Sequence, residues 1–351
     1  SSVPIVYRCG TMTQLPAWTL PLARETALRN PGTPVYLAGC WEPGGETAAA
    51  IAQHGLISLG LEGEDACRSD WLKEHLRPPS REPKAAQFMW QSGEMILAAA
   101  LEVVLGPHCA SKSGQGAGCL ALTLDPDVLF LASARHLCDF YEAEAYDAVV
   151  PDAEQTTYYS RHATFLSLRA VRTAARFLTT ADQGQIDAMS FAPGTSECYP
   201  IDMMMPHVFV RQGLDVLWQQ DHVHGQRCPA ATGHRCLPWR RTSRGRLVFT
   251  VTDQMLFRAQ GVCGLDAECV SPRDYGLGSG MAGDLMTPRL ELRGGLAYLR
   301  TGSSWDTAVR VHLASIHFAE LAKAIAKPFV EALRRTKTSG PEVYPDFLRE
   351  L

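Results

Sequence analysis

Asparagine is almost missing from this chain: its one copy, Asn30, is followed by Pro31, and proline at that place excludes an N-glycosylation sequon. Long hydrophobic runs are missing as well. The longest candidate, residues 95–105, is interrupted by Glu102. It falls well short of the about 20 apolar residues that a membrane-spanning helix needs. A basic excess is also absent. With 33 Lys and Arg against 37 Asp and Glu, the net charge is −4, and no electrostatic footprint for nucleic acid or an anionic membrane is expected.

What is present describes a folded protein. A chain of 351 residues, 46% of them hydrophobic, is long enough for one large α/β core spanning 1–351, or for one core with an appended lobe. Eleven cysteines are many for a reducing compartment, and the odd count leaves at least one unpaired within the chain. Cys228 with Cys236, and Cys263 with Cys269, are close enough in sequence to close small loops. The chain opens Ser1-Ser2-Val3 rather than on methionine, so a leader or anchor ahead of it stays open.

The first sixty residues alternate. PIVYRCG reads as a β-rich strand ending in glycine, 15–28 as a helix, PVYLAGC as a second strand, 46–54 as a helix and LISLGL as a third strand. Such alternation builds a parallel sheet, whose ligands collect at the C-terminal ends of the strands. Tyr7, Arg8, Cys9 and Gly10 sit at one such end. Charges and prolines over 61–84 predict a surface loop. A strong helix follows over 84–105, with Gln91 and Glu94 expected on a solvated face, and SKSGQGAG then reads as a plain linker, since it lacks the G-K-[ST] ending of a phosphate loop.

Next comes LALTLDPDVLFL, in which an apolar run breaks for Asp125 and Asp127 and then resumes. Carboxylates are rarely left in a core without a partner, so this pair marks a strand edge where something positive arrives. Beyond it a helix over 132–141, a strand over 147–150 and a strand-plus-amphipathic-helix unit continue the alternation, His162 reading as a structural histidine. Glu197 and Asp202 fall near the start of an apolar helix, where capping and the helix dipole favour acids. The run DHVHGQRCPAATGHRC holds five zinc-competent side chains in no standard finger spacing, and a disulfide explains it as well as a metal does. RLVFTVT and GLAYLR suggest a small β-rich lobe.

Near the C-terminus, SIHFAELAKAIAKPF places His317, Phe318 and Lys323 in the register of the HFxGxxK element of the glycogenin-like glycosyltransferases, with Glu320 at the family's glycine and Lys327-Pro328 arriving four residues late. Together with the D-x-D at Asp125 and Asp127, the chain resembles nucleotide-sugar glycosyltransferases of the GT-A fold. That resemblance implies a Rossmann-like mixed sheet flanked by helices, with 1–131 as nucleotide-sugar half and 132–351 as acceptor half. Mn2+ or Mg2+ would be held by Asp125, Asp127 and His317, and a UDP-sugar would be the donor. Tyr7 would stack on uracil, with Arg8, Cys9, Gly10, Asp125, Lys323 and Lys327 around the nucleotide. Gln91 and Glu94 would reach the sugar pocket, and Asp202, then Glu197, would serve as the base toward a hydroxyl acceptor on a glycan or protein. The secretory lumen is the compartment implied. A non-catalytic nucleotide- or carbohydrate-binding protein, and a magnesium-dependent nucleotidyltransferase or hydrolase, remain open on the same residues.

Overall fold

The structure is a computed structural model, and it describes residues 3–13, 15, 19–80, 84–109, 119–150, 163–190, 205 and 208–219. It also describes 235–237, 247–252, 289–293, 296–301, 304–312, 330–331 and 334–335. In chain order the first elements are β1 (Ile5–Arg8), α1 (Thr19–Arg29), β2 (Val35–Gly39), α2 (Glu46–Gln53), β3 (Ile57–Gly60), α3 (Ser69–His75) and α4 (Lys84–Cys109). Then come β4 (Leu120–Leu124), β5 (Val128–Phe130), α5 (Ala134–Phe140), β6 (Ala148–Val150), β7 (Ala163–Ser167), α6 (Leu168–Thr180) and α7 (Gln183–Ser190). Strands complete the order: β8 (Val216–Gln219), β9 (Arg235–Leu237), β10 (Leu247–Thr252), β11 (Arg289–Arg293), β12 (Leu296–Thr301) and β13 (Ser304–His312).

The chain forms two compact units. The first combines residues 1–15, 32–126 and 137–239, and the second 16–31, 127–136 and 240–351. The first unit is a mixed α/β layer built on the sheet β3-β2-β1-β4-β7-β6-β8-β9. Pairings from β3 to β4 are all parallel, as the opening alternation predicts. β7 is antiparallel to both of its neighbours, and β6, β8 and β9 are parallel again. β1 reads IVYR with every residue buried, the near-continuous apolar pattern of a strand covered on both faces.

Helices cover one face because their apolar spacing matches it. Along α6, Leu168, Val171, Ala174 and Leu178 recur at helical intervals and are all buried. They join Ile96, Leu97, Ala100, Leu101 and Leu105 of α4 over Val6, Ala38, Ala121, Ala148 and Leu166 of the sheet. Ser167 starts α6 by accepting a hydrogen bond from the Ala170 amide at 3.1 Å. At the paired ends of β2 and β3, Gly39 faces Gly60, and the indole of Trp41 lies where a Cβ on Gly39 would be, 2.2 Å away. Only glycine allows that approach.

The segment 61–84 departs from the loop expected of it. It contains α3, and Leu61, Ala66, Leu72 and Leu76 lie in the core. A disulfide from Cys40 to Cys67 ties it to the end of β2. Four spaced apolar side chains and a cross-link outweigh the polar residues between them. A second disulfide joins Cys109 at the end of α4 to Cys119 before β4. Neither pair is among those expected from sequence proximity, which lie outside the residues whose side chains are described.

In the second unit β13 is central. β10 runs parallel along one edge, while β12 and β5 share the other, β12 pairing at 304–307 and β5 at 310–312. β11 and β12 form an antiparallel pair. Asn30, the one asparagine, ends α1 as a local clasp: its amide donates to the carbonyls of Thr26 and Ala132, and its oxygen accepts from the Ala134 amide at 2.7 Å. Glu25 of α1 is buried between Arg29 and Arg334.

Candidate functional site

β1 is the strand at which the order of the first sheet turns, with β2 and β3 on one side and β4 on the other. In open α/β sheets the crevice beyond the carboxyl ends at such a switch point is where ligands bind. Tyr7 pairs with Leu124, so Arg8 and Asp125 are the next residues out along two neighbouring parallel strands. Side chains alternate along a strand. Val6 and Ala121 point into the core beneath α4, and Arg8 and Asp125, two and four residues on, share that face.

There the two side chains meet. The Arg8 guanidinium donates from Nε at 3.1 Å and from Nη2 at 2.7 Å to Oδ1 of Asp125, and from Nη1 at 2.6 Å to Oε1 of Glu94 on α4. The side chains are only 8%, 11% and 1% exposed. One guanidinium thus bridges two carboxylates that come from different elements, α4 and the end of β4. Removing one member of such a cluster is strongly destabilising, because the partner is left buried without its counter-charge.

Glu94 was expected on a solvated helix face, and the structure corrects this. It lies three and seven residues before Leu97 and Leu101, on the stripe that packs on the sheet. Gln91, one turn earlier, is also buried and donates to the Arg77 carbonyl at 2.7 Å. The signal was present in the sequence: an acid in phase with a leucine stripe has to be paired inside.

The neighbours of Arg8 divide differently. Tyr7 is fully buried, so its ring is in the core and not on a surface where a base stacks. Cys9 is buried too, its amide held by the Ala38 carbonyl at 2.8 Å, and burial together with the nearby Asp125 charge pushes its thiol well above the usual range. Gly10 has φ +60°, the left-handed conformation that glycine adopts without strain, and it turns the chain away from the strand end.

Asp125 follows directly on the last residue of β4, and Asp127 stands two residues on, half-buried. Carboxylate oxygens suit a hard divalent cation. Among the described residues no cluster of three or more His, Cys, Asp or Glu side chains forms a metal site. His317, Lys323, Lys327, Asp202 and Glu197 lie outside the described residues, as do His162 and the histidines of 221–236.

No protein-family model matches this chain, and no curated protein matches it in sequence. Solved structures that resemble it include mouse xyloside xylosyltransferase 1 in its apo form, at TM-score 0.41 and 10% identity over 64% of this chain and 89% of that one. An active-site mutant of LgtC aligns over 98% and 99% of the two chains, at TM-score 0.40 and 11% identity. GlyE of Streptococcus pneumoniae TIGR4 aligns over 98% of this chain and 67% of its own, at TM-score 0.35 and 8% identity. The scores are low, and the α/β architecture stands on the strand order itself.

Proposed function

We propose that this protein is a glycosyltransferase that moves a sugar from a nucleotide-sugar donor, a UDP-sugar, to a hydroxyl acceptor on a glycan or protein. The observation that carries this reading is the meeting of Arg8 and Asp125 at the carboxyl ends of β1 and β4, where the strand order turns and the D-x-D begins. The C-terminal resemblance around His317 and Lys323 supports it from the other end of the chain.

In this reading Arg8 contacts the diphosphate with its fork of donors, and the left-handed turn at Gly10 gives the nucleotide access to the backbone there. Tyr7 and Cys9 contribute through their place on the strand end and not through buried side chains. Asp125, Asp127 and His317 are the residues that would hold Mn2+ or Mg2+, and the ion would supply positive charge toward a nucleotide diphosphate. Lys323 and Lys327 add to that charge. Asp202, with Glu197 as second choice, accepts the proton of the acceptor hydroxyl as it attacks the anomeric carbon. The two disulfides support an oxidising, lumenal setting.

Calorimetric titration of UDP, with manganese present or chelated, tests this on the wild type and on Asp127→Ala. Micromolar binding that needs both manganese and Asp127 is expected. Absence of binding under every condition would overturn the UDP-sugar reading, and binding without turnover of any UDP-sugar would favour a non-catalytic binding protein.

A further inference from the structure

The second unit holds a charge cluster that the sugar-transfer reading does not use. Glu25 of α1 is 2% exposed, and its two carboxylate oxygens are divided between two guanidinium groups. Arg29, one helical turn on, donates from Nε to Oε1 at 3.1 Å. Arg334 donates from Nε to Oε2 at 2.8 Å, across 309 residues of chain. All three residues belong to the same unit.

Two guanidinium ions against one carboxylate leave one positive charge that no other ion pair among the described residues takes up. The hydrogen bonding is incomplete in the same place. Nη2 of Arg29 lies 3.0 Å from Oε1, but without the geometry of a hydrogen bond, and it is buried with no other acceptor among the described residues. The nearby end of α1 does not supply one: the Thr26 and Ala27 carbonyls already accept from the side-chain and main-chain amides of Asn30. A water molecule would satisfy an N–H and leave the charge, whereas an oxyanion answers both. Arg334 gives Glu25 only its Nε, and its side chain is 41% exposed, so its two terminal nitrogens remain for a ligand that arrives from solvent. Those two nitrogens present parallel donors at the spacing of two oxygens of a phosphate.

We propose that Arg29 and Arg334, held by Glu25, form a binding site for a phosphate group, either free or as the monoester of a small molecule. Glu25 keeps both guanidinium groups in place before the ligand arrives, so less side-chain freedom is lost on binding. The site uses none of the residues assigned to the donor, the metal or the acceptor, and it stands whether or not the protein transfers sugars.

The test is titration of inorganic phosphate followed by 31P nuclear magnetic resonance line width, at constant ionic strength, on the full chain. Wild type should bind with a dissociation constant of about 1 mM or tighter. R334Q removes the charge and the exposed fork and should weaken binding about tenfold or more. R335Q, at the exposed neighbouring residue, should leave it unchanged. Should R334Q fail to fold by near-ultraviolet circular dichroism, R334K takes its place: it keeps the charge, loses the planar fork, and should weaken binding about threefold or more.

Glycerol 1-phosphate distinguishes the two sources. An affinity within about threefold of inorganic phosphate assigns the site to a phosphate monoester, and one about tenfold weaker confines it to the free ion. No phosphate binding by wild type would overturn the proposal, as would an R334 variant that binds phosphate as wild type does. Equal weakening in R334Q and R335Q would also overturn it, since diffuse surface charge would then account for the binding.

Discussion

Single side chains in this protein carry tertiary organisation well beyond their neighbours in sequence. Asp147 is an example: its carboxylate accepts from Ser167 Oγ at 3.2 Å, from Arg169 Nη1 at 3.2 Å and from the Asp215 amide at 3.1 Å, joining the starts of β6, α6 and β8. Cys9 shows the opposite case, a potentially reactive group made inert. Its pKa is raised by burial first and by the Asp125 charge second, so the thiolate needed for alkylation is scarce even in alkaline buffer. Native protein treated with iodoacetamide at pH about 8 should leave Cys9 unlabelled by mass spectrometry, and denatured, reduced protein should label it. Rapid native labelling of Cys9 would show that the strand end is open to reagent.

At the scale of elements, regular periodicity was legible and irregular packing was not. β1, β2, β3, α2 and α6 fall where alternation and amphipathic spacing place them. The segment holding α3 reads as a loop because charges and prolines dominate it, while its four core residues are spread too widely to form a pattern. Disulfide partners are likewise invisible locally. Cys40–Cys67 closes a separation of 27 residues and Cys109–Cys119 one of 10. By loop-closure entropy the longer loop constrains the unfolded chain more. C40A/C67A should therefore cost about 3 to 4 kcal/mol and C109A/C119A roughly 1 kcal/mol less, read from urea unfolding. An unchanged midpoint in C40A/C67A would contradict the structural role assigned to that bridge.

For the whole molecule, charge balance sets what the protein avoids. With pI near 6.3 and carboxylates outnumbering basic residues, no phosphate-neutralising surface is expected. Fluorescence anisotropy with duplex DNA at physiological salt should show no binding, and a salt-sensitive affinity there would reopen the nucleic-acid class. The chain also passes between units early: it leaves the first unit after β1 to form α1, and returns for β2. D-x-D falls on another such passage, with Asp125 in the first unit and Asp127 in the second. Sequence alone read one continuous strand edge there, because apolar runs on either side of two aspartates look alike whichever sheet they join.

The α/β alternation, the lack of any membrane-length apolar helix among the described residues, and the position of Asp125 at a strand end all follow from local sequence, since periodicity, hydropathy and turn residues act over a few positions. The place of β1 between β2 and β4, the pairing of Cys40 with Cys67, and the bonds of Arg8 to Glu94 and Asp125 across 86 and 117 residues of chain came from the folded arrangement. Those outcomes depend on which surfaces are buried against each other and which charges then have to be paired out of water, and a buried guanidinium takes whichever carboxylates the fold brings to it.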